Sequence, residues 1–431
     1  MRPGYGIELR LGSARTRDFR DPAIPTRHPL RCSLIPDRRS TRSTLMSNQT
    51  HDHDRLMLER ATRRALRGHG EAEPNPSVGC VIADADGRVV GEGRTRHPGG
   101  PHAEIEAIRG AGAAARGGTA WVTLEPCNHH GKTPPCVDAI IAAGIARVVV
   151  GSPESNDFAS GGMARLREAG IEVVLRPDVD SVRRLHASFH GRVSTGRPWV
   201  IAKWAETHDG ALSTPPGVSP WISGPRSIRM VHRERGRTDA ILTGIGTILA
   251  DDPRLDAREV RRRRTPMRVI VDPDLDTPPT ALILKTAGGP VLIACRNDPD
   301  DDLHRMRSEQ LAAAGAKILP IEVPPDSGMR ESASENLRGR FSAGRLGSLL
   351  RHLAEDHDVA TVLTECGAGL LQGLFEADLI DATLVFTAPD TGVKGAPPSP
   401  SPRDLLHLAS FETIWSGRRG DDHVVWSQRR T

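Results

Sequence analysis

The chain has 431 residues, too long for a single typical core and suited to two or three domains. Hydrophobic residues make up 37% and charged residues 26%, as in ordinary globular proteins, whereas aromatic residues, at 3%, are too few for a base-stacking surface that binds single-stranded nucleic acid. The net charge is +4, and since residues 1–45 hold ten arginines and four acids, the rest of the chain carries −2 and has no basic excess to attract polyanions.

Residues 1–45 show no helical or strand periodicity and are rich in Arg, Pro and Ser, so we expect them to be disordered. A transit peptide has a similar composition, but the four acids count against it, and an over-extended translational start upstream of Met46 explains the segment at least as well. No apolar run reaches the ~18 residues of a membrane span, and there is no secretory signal. We therefore expect a cytoplasmic protein that binds neither membranes nor nucleic acid.

Residues 46–192 carry the signals of an α/β layered domain in which strands alternate with helices. The Asp86-Gly87 pair is typical of a hairpin turn, Pro134-Pro135 open a helix and Gly144 ends it. In chain order we expect a helix over 54–66, a hairpin of 78–82 and 89–93, a helix over 102–113, a strand over 120–124, a helix over 136–143, a strand over 146–150, a helix over 162–169, a strand over 171–175 and a helix over 180–195.

A second α/β series follows a boundary at residues 196–198 and fills residues 197–431. The arginine run at 258–264 favours a solvated loop over a nucleic-acid patch, and the Pro-rich stretch 396–402 predicts a flexible excursion. We expect strands near 199–204, 239–243, 268–271, 290–294, 359–364 and 382–387, and helices near 226–236, 303–314, 344–355 and 369–376.

Two short segments carry residues that bind metals. His102 stands at the start of a predicted helix, and Cys127 and Cys136 flank a loop between a strand and a helix. One imidazole and two thiolates make three ligands for zinc, whereas structural zinc sites take four, so one position stays open for a water molecule whose pKa zinc lowers toward ~7. The other four cysteines lie singly in apolar runs or in the tail, which indicates buried thiols rather than disulfides.

Glu104 follows the histidine by two residues, where its carboxylate reaches the metal-bound water without being a ligand. From there it can accept the proton of the water and return it to a ring nitrogen and then to departing ammonia. Zinc-dependent nucleobase deaminases use this combination of His-x-Glu and Pro-Cys to attack a pyrimidine or purine carbon. Each segment alone is common, but the two in this order predict a hydrolytic deaminase with Glu104 as its catalytic residue.

The loop between the cysteines is longer than the two residues usual in nucleoside and nucleic-acid deaminases. Thr123-Leu-Glu-Pro-Cys-Asn-His-His-Gly-Lys-Thr-Pro-Pro-Cys136 closely resembles the bifunctional deaminase–reductase family of riboflavin biosynthesis. Asn75-Pro-Ser-Val-Gly-Cys-Val and Gly99-Gly-Pro-His-Ala-Glu match the same family, and so does Asp138-Ala-Ile-Ile-Ala-Ala-Gly-Ile-Ala-Arg-Val.

The second half resembles the same family less tightly, through Lys203-Trp-Ala-Glu-Thr-His-Asp-Gly, residues 239–255 and Glu365-Cys-Gly-Ala-Gly-Leu. The resemblance implies a cytidine-deaminase-like three-layer domain followed by a dihydrofolate-reductase-like domain. It also implies two reactions: zinc-dependent deamination of 2,5-diamino-6-(5-phosphoribosylamino)pyrimidin-4(3H)-one, and NADPH reduction of the ribosyl group of 5-amino-6-(5-phosphoribosylamino)uracil to a ribityl chain. A homodimer or homotetramer is the assembly that it implies.

Further site residues follow from the resemblance. In the deaminase, Asn75 offers a donor and an acceptor to the edge of a ring, and three polar residues of the loop between the cysteines are better explained as ribose or phosphate contacts than as plain surface: His129, Lys132 and Thr133. In the reductase the implied substrate contacts are Ser219, Arg235, Leu255, Arg258 and Glu365. The implied NADPH contacts are Trp221, Thr247, Asp251, Gly367, Gly369 and Leu370, of which the 365–369 segment suits phosphate on free N–H groups at a helix start.

Several positions depart from the family pattern and leave a second hypothesis open. Ala211 stands where the family has lysine, Asp256 and Ala368 replace a threonine and a proline, and residues 152–158 and 390–402 also differ. The alternative is therefore a deaminase whose reductase-like domain no longer transfers hydride, which NADPH binding would separate from the two-step enzyme. A nucleic-acid-editing deaminase is disfavoured by the charge of −2 outside the tail, and a non-enzymatic zinc scaffold predicts four ligands.

Overall fold

The computed structural model describes residues 38–131, 134–213, 222–298, 300–322, 341–389, 402–406 and 411–430. The chain divides into two compact units, Met1–Thr50 and His51–Thr431. Of the first unit only the start of helix α1 (Arg38–Leu66) is described, so the expected disorder of residues 1–37 lies outside the described residues. The helix already includes residues 38–45, which we expected to be disordered, because no Gly or Pro interrupts the chain between Arg38 and Leu66.

The first sheet of the larger unit has the strand order β2-β1-β3-β4-β5. β1 is antiparallel to its neighbours β2 and β3, and β3, β4 and β5 run parallel. The turn of the hairpin is closed by Gly87 at a φ of 80°, as the Asp-Gly signal predicts. The strands are β1 (Gly79–Ala83), β2 (Val89–Arg94), β3 (Thr119–Val122), β4 (Arg147–Val150) and β5 (Glu172–Leu175).

Helices cover both faces of this sheet, which gives three layers. One face packs against α2 (Ala103–Ala111), α3 (Cys136–Ala143) and α4 (Gly162–Glu168) through a core that includes Ile82 and Ile140. The other face packs against α1 and the start of α5 (Asp180–Thr195) through a core that includes Leu58 and Val182. Alternate residues of each strand face the two cores, as the pleat requires.

The second sheet has nine strands in the order β10-β9-β8-β7-β11-β6-β12-β14-β13 within the described residues. All neighbouring pairs from β10 to β12 are parallel, and β14 and β13 close the edge as an antiparallel hairpin. The strands are β6 (Trp199–Glu206), β7 (Ala240–Gly244), β8 (Met267–Val271), β9 (Val291–Arg296), β10 (Lys317–Ile321), β11 (Thr361–Thr364), β12 (Ala382–Thr387), β13 (Phe411–Arg419) and β14 (Asp422–Arg429).

Helices flank this sheet as well: α6 (Pro225–Arg235), α7 (Ile245–Asp251), α8 (Leu282–Lys285), α9 (Asp302–Ala313), α10 (Ala343–His357), α11 (Ala368–Glu376) and α12 (Pro402–Leu405). The sequence did not predict α7, α8, α12, β10, β13 or β14. The three helices are short, Pro320 weakens the strand signal of β10 at the sheet edge, and the burial pattern of the half-exposed hairpin alternates too irregularly to predict strands.

The helices of the described ranges are all too short or too polar to cross a bilayer. Most of the Pro-rich stretch 396–402, for which we expected a flexible excursion, lies outside those ranges.

The arginine run at 258–264 is only partly the solvated loop that we expected: Arg261 and Arg262 are exposed, whereas Arg263 and Arg264 contact the first half of the chain. Arg263 donates from Nη2 to the carbonyl of Arg67 at 2.9 Å, and Arg264 donates from Nε to the carbonyl of Gly70 at 3.0 Å. These carbonyls belong to the turn that follows α1 and are not occupied by helix or sheet partners. Nothing in the spacing of the arginines indicates such distant partners, so the sequence pattern could only suggest solvent.

A buried carboxylate ties α1 to the first sheet. Asp54, 1% exposed, accepts hydrogen bonds from Nε1 of Trp121 at 2.8 Å and from both terminal nitrogens of Arg147 at 2.9 and 2.8 Å. Burial by itself raises the pKa of Asp54, but the hydrogen bonds from Arg147 and Trp121 and the charges of Arg147 and Arg176 outweigh it and hold the pKa below its usual value. The ionised carboxylate is therefore part of the folded state.

Replacing Asp54 with Ala should lower the free energy of unfolding by about 3 kcal/mol at neutral pH, because Arg147 is left without its buried partner. Since the folded pKa is depressed, the contribution of Asp54 is present above its unfolded pKa of ~3.9 and is lost as the pH falls through the folded value. Urea unfolding at several pH values measures both effects. Asp86→Ala, at an exposed turn, serves as the control; equal stability of the two variants would contradict the prediction.

Candidate active sites

Three metal-binding side chains converge at one end of the first sheet. His102 precedes α2, Cys127 lies in the loop after β3, and Cys136 is the first residue of α3. Nδ1 of His102 lies 3.6 Å from Sγ of Cys127 and 3.3 Å from Sγ of Cys136, and the three atoms lie within 4.8 Å of one another. The structure thus brings together the three residues that the sequence predicts as ligands.

The donor set and its spacing suit zinc. In a tetrahedral site with Zn–N of ~2.0 Å and Zn–S of ~2.3 Å, ligand atoms are separated by ~3.5 Å, close to the distances observed here. The free backbone N–H of Cys136 at the start of α3 points at Sγ of Cys127, 3.4 Å away. The hydrogen bond from the Cys136 thiol, followed by that from His102, lowers the pKa of Cys127, whereas the same bond and burial raise the pKa of Cys136, so Cys127 is the more readily ionised of the two thiols.

Glu104 lies beside this triad in the first turn of α2 and is only 4% exposed. Burial is the main cause that raises the pKa of Glu104, to about 7, and the nearby Cys127 raises it further, whereas His102 acts in the opposite direction. A carboxyl group with such a pKa can both accept and donate a proton at neutral pH. The environment therefore suits the proton shuttle that the sequence predicts.

The two described loop residues of the predicted deaminase site lie in partly buried positions. His129 lies between the two cysteines, its ring centroid is 4.8 Å from that of Phe158, and its buried Nδ1 has no hydrogen-bond partner within the described ranges. Asn75 lies in the turn before β1, and its N–H donates to the carbonyl of Ala72 at 3.1 Å. Lys132 and Thr133 lie outside the described residues.

The second sheet holds a buried cluster of two cations around one carboxylate. Glu365, directly after β11, accepts hydrogen bonds from Nε and Nη2 of Arg235 at 2.5 and 2.9 Å, and Nζ of Lys203 lies 3.5 Å from its Oε2. Burial by itself would raise the pKa of Glu365, but the charges of Arg235 and Lys203 lower it to about 2. All three side chains are more than four-fifths buried, so this charged cluster is held in one place by its surroundings.

The segment 255–258 joins this cluster. Nη1 of Arg235 donates to the carbonyl of Asp256 at 3.1 Å, and the carboxylate of Asp256 pairs with Arg258. Leu255 is buried and adopts a φ of 47°, unusual for a residue with a side chain. Four of the five predicted substrate residues of the reductase are thus in one place, and Ser219 lies outside the described residues.

Four of the six predicted cofactor residues, Thr247, Gly367, Gly369 and Leu370, lie where two helices begin. The N–H of Gly367, which precedes α11, donates to Oγ1 of Thr247 in α7 at 3.2 Å. A Cβ on Gly244 would lie 3.3 Å from Leu370, so the two helix starts are in contact. Gly369 lies in the first turn of α11 and Asp251 is the exposed last residue of α7. Trp221 lies outside the described residues.

Comparisons with known proteins agree with this geometry. The family model described as "Cytidine and deoxycytidylate deaminase zinc-binding region" matches residues 51–152, and the "RibD C-terminal domain" matches residues 198–414. The riboflavin biosynthesis protein RibD of Aquifex aeolicus (strain VF5) is 34% identical over 78% of this chain and 87% of its own length, and RibD of Escherichia coli (strain K12) is 34% identical over 78% and 88%. The chain belongs to the RibD family.

Solved structures support the assignment. Form 1 of Acinetobacter baumannii RibD is 30% identical, covers 88% of this chain and 99% of its own, and superposes with a TM-score of 0.68. The Thermotoga maritima protein described as a diaminohydroxyphosphoribosylaminopyrimidine deaminase and 5-amino-6-(5-phosphoribosylamino)uracil reductase is 29% identical, covers 88% and 100%, and also has a TM-score of 0.68. Both span the deaminase and the reductase halves.

Family membership confirms the main predictions from the sequence. The protein is a bifunctional deaminase and reductase of riboflavin biosynthesis with a cytidine-deaminase-like domain and a RibD reductase domain, and its cofactors are zinc and NADPH. No finding favours the alternative of an inactive reductase domain. Its substrate is a small molecule. The boundaries at residues 45, 192 and 197, the cytoplasmic location and the dimeric or tetrameric assembly stay predictions.

Ala211, where the RibD pattern has a lysine, is fully buried in a tight turn. Its N–H donates to Oγ1 of Thr207 at 2.9 Å, and its carbonyl accepts from the N–H of Thr207 at 2.9 Å. The hydrogen bonds that close the turn therefore do not require a longer side chain at this position. The two cations of the reductase cluster are Lys203 and Arg235, and Lys203 is a residue that we did not single out from the sequence, although it lies in a matching segment.

Glu125, between Leu124 and Pro126, is a second residue that the sequence analysis missed. It is 7% exposed and its carboxylate accepts the N–H of Met163 at 3.0 Å and that of Glu154 at 3.2 Å. Its own N–H donates to the carbonyl of Ser152 at 2.9 Å. Glu125 thus fixes the loop that carries Cys127 to the neighbouring segment 152–163. An acidic residue inside an otherwise apolar strand end is the signal that could have indicated it.

Glu125→Ala should weaken zinc affinity by about tenfold. Residues that hold a metal ligand in position without binding the metal themselves typically contribute about 10- to 100-fold to metal affinity. Competition with a chromogenic chelator measures this change in the purified protein. Glu172→Ala, an exposed carboxylate on β5, is the matched control. Unchanged zinc affinity in the Glu125 variant would show that the loop keeps its position without this carboxylate.

Proposed function

We propose that this chain deaminates 2,5-diamino-6-(5-phosphoribosylamino)pyrimidin-4(3H)-one and then reduces the ribosyl group of the resulting 5-amino-6-(5-phosphoribosylamino)uracil to a ribityl chain. The name of the Thermotoga maritima relative contains both activities, which supports the proposal. The observation that carries it is the presence of two buried reactive clusters in one chain. Glu104 lies beside the His102-Cys127-Cys136 triad, and two cations surround Glu365.

In the deamination we assign proton transfer to Glu104. Zinc, held by His102, Cys127 and Cys136, supplies a Lewis acid that makes water a nucleophile at neutral pH. The carboxylate of Glu104 takes a proton from the attacking water as the C–O bond forms and delivers it to a ring nitrogen. A second proton, from the hydroxyl group now on the attacked carbon, passes through the same carboxylate to the amine; the C–N bond breaks, a carbonyl forms and ammonia leaves. The pKa of about 7 suits transfer in both directions.

Four residues are proposed to bind the diaminopyrimidine ribosylamine phosphate: Asn75, His129, Lys132 and Thr133. The amide of Asn75 has the donor and acceptor that the edge of the pyrimidine requires. His129 supports this role because its buried Nδ1 has no partner in the described part of the chain, and such a group is stabilised by a hydrogen bond from a ligand. Ribose hydroxyls and phosphate oxygens offer that bond.

In the reduction NADPH supplies the hydride that C1′ of the ribosyl group receives. The bond between C1′ and the ring oxygen O4′ breaks, and O4′ needs a proton to become the hydroxyl of the ribityl chain. We assign this proton to Nζ of Lys203. Burial, with a smaller contribution from the charge of Arg235, lowers the pKa of Lys203, whereas Glu365 acts against this shift. A lysine of lowered pKa gives up its proton more readily near neutral pH.

The remaining reductase residues are proposed to hold the two reactants. Glu365 orients Lys203 and Arg235, and further substrate contacts are Ser219, Arg235, Leu255 and Arg258. The start of α11 is proposed to bind a cofactor phosphate, since no side chain of the described residues caps the N–H groups of its first turn. The other proposed NADPH contacts are Trp221, Thr247, Asp251, Gly369 and Leu370.

Glu104→Gln should lower the rate of ammonia release by at least about two orders of magnitude, because a positioned general acid–base group contributes ~10²–10⁴-fold. The variant should keep its zinc, measured by elemental analysis. Supplied directly with the aminouracil substrate, it should oxidise NADPH at the rate of the parent enzyme. Loss of NADPH oxidation under these conditions would indicate a folding defect rather than a lost proton shuttle.

Lys203→Met should abolish NADPH oxidation while ammonia release continues at the parent rate, because the proton for O4′ is no longer available. NADPH absorbance and ammonia are followed together in one reaction. Lys285→Met, at an exposed position in α8, is the control. If the parent enzyme itself releases ammonia with flat absorbance while it still binds NADPH, the proposed reduction is wrong and only the deaminase is active.

A further inference from the structure

The turn between α1 and β1 is held in place by arginines from the reductase half. Arg263 donates from Nη2 to the carbonyl of Arg67 at 2.9 Å and pairs through Nη1 with Glu71. Arg264 donates from Nε to the carbonyl of Gly70 at 3.0 Å and from Nη2 to the carbonyl of Glu73. Arg264 also lies 3.8 Å from a carboxylate oxygen of Glu73. Two guanidinium groups therefore bind three backbone carbonyls and two carboxylates of a single turn, residues 67–75.

These contacts are sheltered from solvent. The side chains of Arg263 and Arg264 are 22% and 21% exposed, and that of Glu71 is 24% exposed. Hydrogen bonds from a charged donor in such partly buried positions are stronger than those on an open surface. Glu71 also lies 3.0 Å from Nη2 of Arg94 in β2, so the carboxylate connects the reductase arginine to the strand next to β1.

The turn packs directly against the reductase backbone at Gly70. This residue has a φ of 82°, and a Cβ there would lie 2.9 Å from both Cα and Cβ of Arg237, closer than real side chains allow. Only glycine fits this position without moving the turn. The position of residues 67–75 is thus fixed by both steric contact and hydrogen bonds with the second half of the chain.

Asn75 is the last residue of this turn. Its N–H donates to the carbonyl of Ala72 at 3.1 Å, and Ala72 lies fully buried between Glu71 and Glu73, the two acids of the contact. Beyond Asn75 the chain enters β1, where Cys80 pairs with Val122 of β3, the strand that leads into the loop of Cys127. A displacement of the turn would therefore displace Asn75 relative to the deaminase centre.

We propose that Arg263 and Arg264 are positioning residues for the deaminase, through which the reductase half fixes Asn75 for binding of the pyrimidine. The inference rests on the proposed contact of Asn75 with the substrate. It gives the arginine run a role in a reaction whose other residues lie in the first half of the chain. It also predicts that substrate affinity in deamination depends on residues of the reductase half that do not contact that substrate.

A substitution of Arg263 tests the proposal more specifically than a substitution of Arg264. Arg264 also pairs with Asp239, whose other oxygen accepts the N–H groups of Ala360 and Thr361 at the start of β11. A change at Arg264 would therefore disturb the reductase sheet as well. The described contacts of the Arg263 side chain are all with the turn, at Arg67 and Glu71.

The experiment uses the full-length, zinc-loaded enzyme with Arg263→Gln. We expect the KM for deamination to rise by about fivefold or more with kcat and zinc content nearly unchanged, since a misplaced binding group weakens substrate binding without altering the proton shuttle. NADPH oxidation with the aminouracil substrate should keep its kcat and KM. Arg262→Gln is the matched control, because this neighbouring side chain is exposed and makes no hydrogen bond or ion pair within the described ranges.

Gly70→Ala tests the same displacement by a steric route, without removing a charge. It should raise the deamination KM at least as much as Arg263→Gln. Unchanged KM in both variants would overturn the proposal, and so would a parallel loss of kcat and zinc, because that pattern indicates a general structural role.

Asn75→Ala separates this inference from the proposed function. If Asn75→Ala raises KM and the effect of Arg263→Gln is largely absent in the Asn75→Ala background, the two residues act through one contact. If Asn75→Ala raises KM but Arg263→Gln does not, the positioning role is wrong and the proposed contact of Asn75 stands. If Asn75→Ala leaves KM unchanged, the proposed contact fails and the positioning role fails with it.

Discussion

The close packing of α2 on β2 is the constraint on which the deaminase centre depends. A Cβ on Gly93 would lie 1.9 Å from the carbonyl of Ala103, so the helix rests directly on the strand at a distance that no side chain allows. Because α2 begins just after His102 and carries Glu104 in its first turn, this contact sets the height of both residues above the sheet. The cysteines come from the loop after β3 and the start of α3, so the three ligand atoms meet only if the helix and the sheet keep this distance.

The two sites use glutamate in opposite environments. Glu104 is buried with one imidazole nearby and forms no salt bridge within the described residues, and burial raises its pKa to about 7. Glu365 is buried between Arg235 and Lys203, and its pKa falls to about 2. The first carboxyl group is therefore free to exchange a proton, whereas the second stays charged at any working pH and orients its cations. The same residue type is suited to proton transfer in one domain and to positioning in the other.

Local signals predicted the elements that they specify directly. Pro134-Pro135 and Gly144, which adopts a φ of 69°, predicted α3 at residues 136–143, and the bounds of α5 and β12 were also correct. The ligand triad was predictable because each ligand lies in a short motif. Lys203, Glu125 and the contacts of Arg263 and Arg264 were not, since their partners lie far away in the chain and only the fold brings them together. The hairpin of β13 and β14 was missed for a related reason, because its half-exposed strands depend on pairing with β12 rather than on their own pattern.

The same distinction bears on the departures from the RibD pattern. A substitution read from the sequence suggests a lost contact, but the effect depends on what the fold places around it. Ala211 lies buried in a turn closed by Thr207, where a long cationic side chain would have to leave the interior. Meanwhile Lys203 lies 3.5 Å from Glu365 on the strand that begins this domain and supplies a buried ammonium group to the cluster. The proposed reduction uses the ammonium group of Lys203, which lies in the segment that matches the family pattern, and so it does not depend on a cation at Ala211.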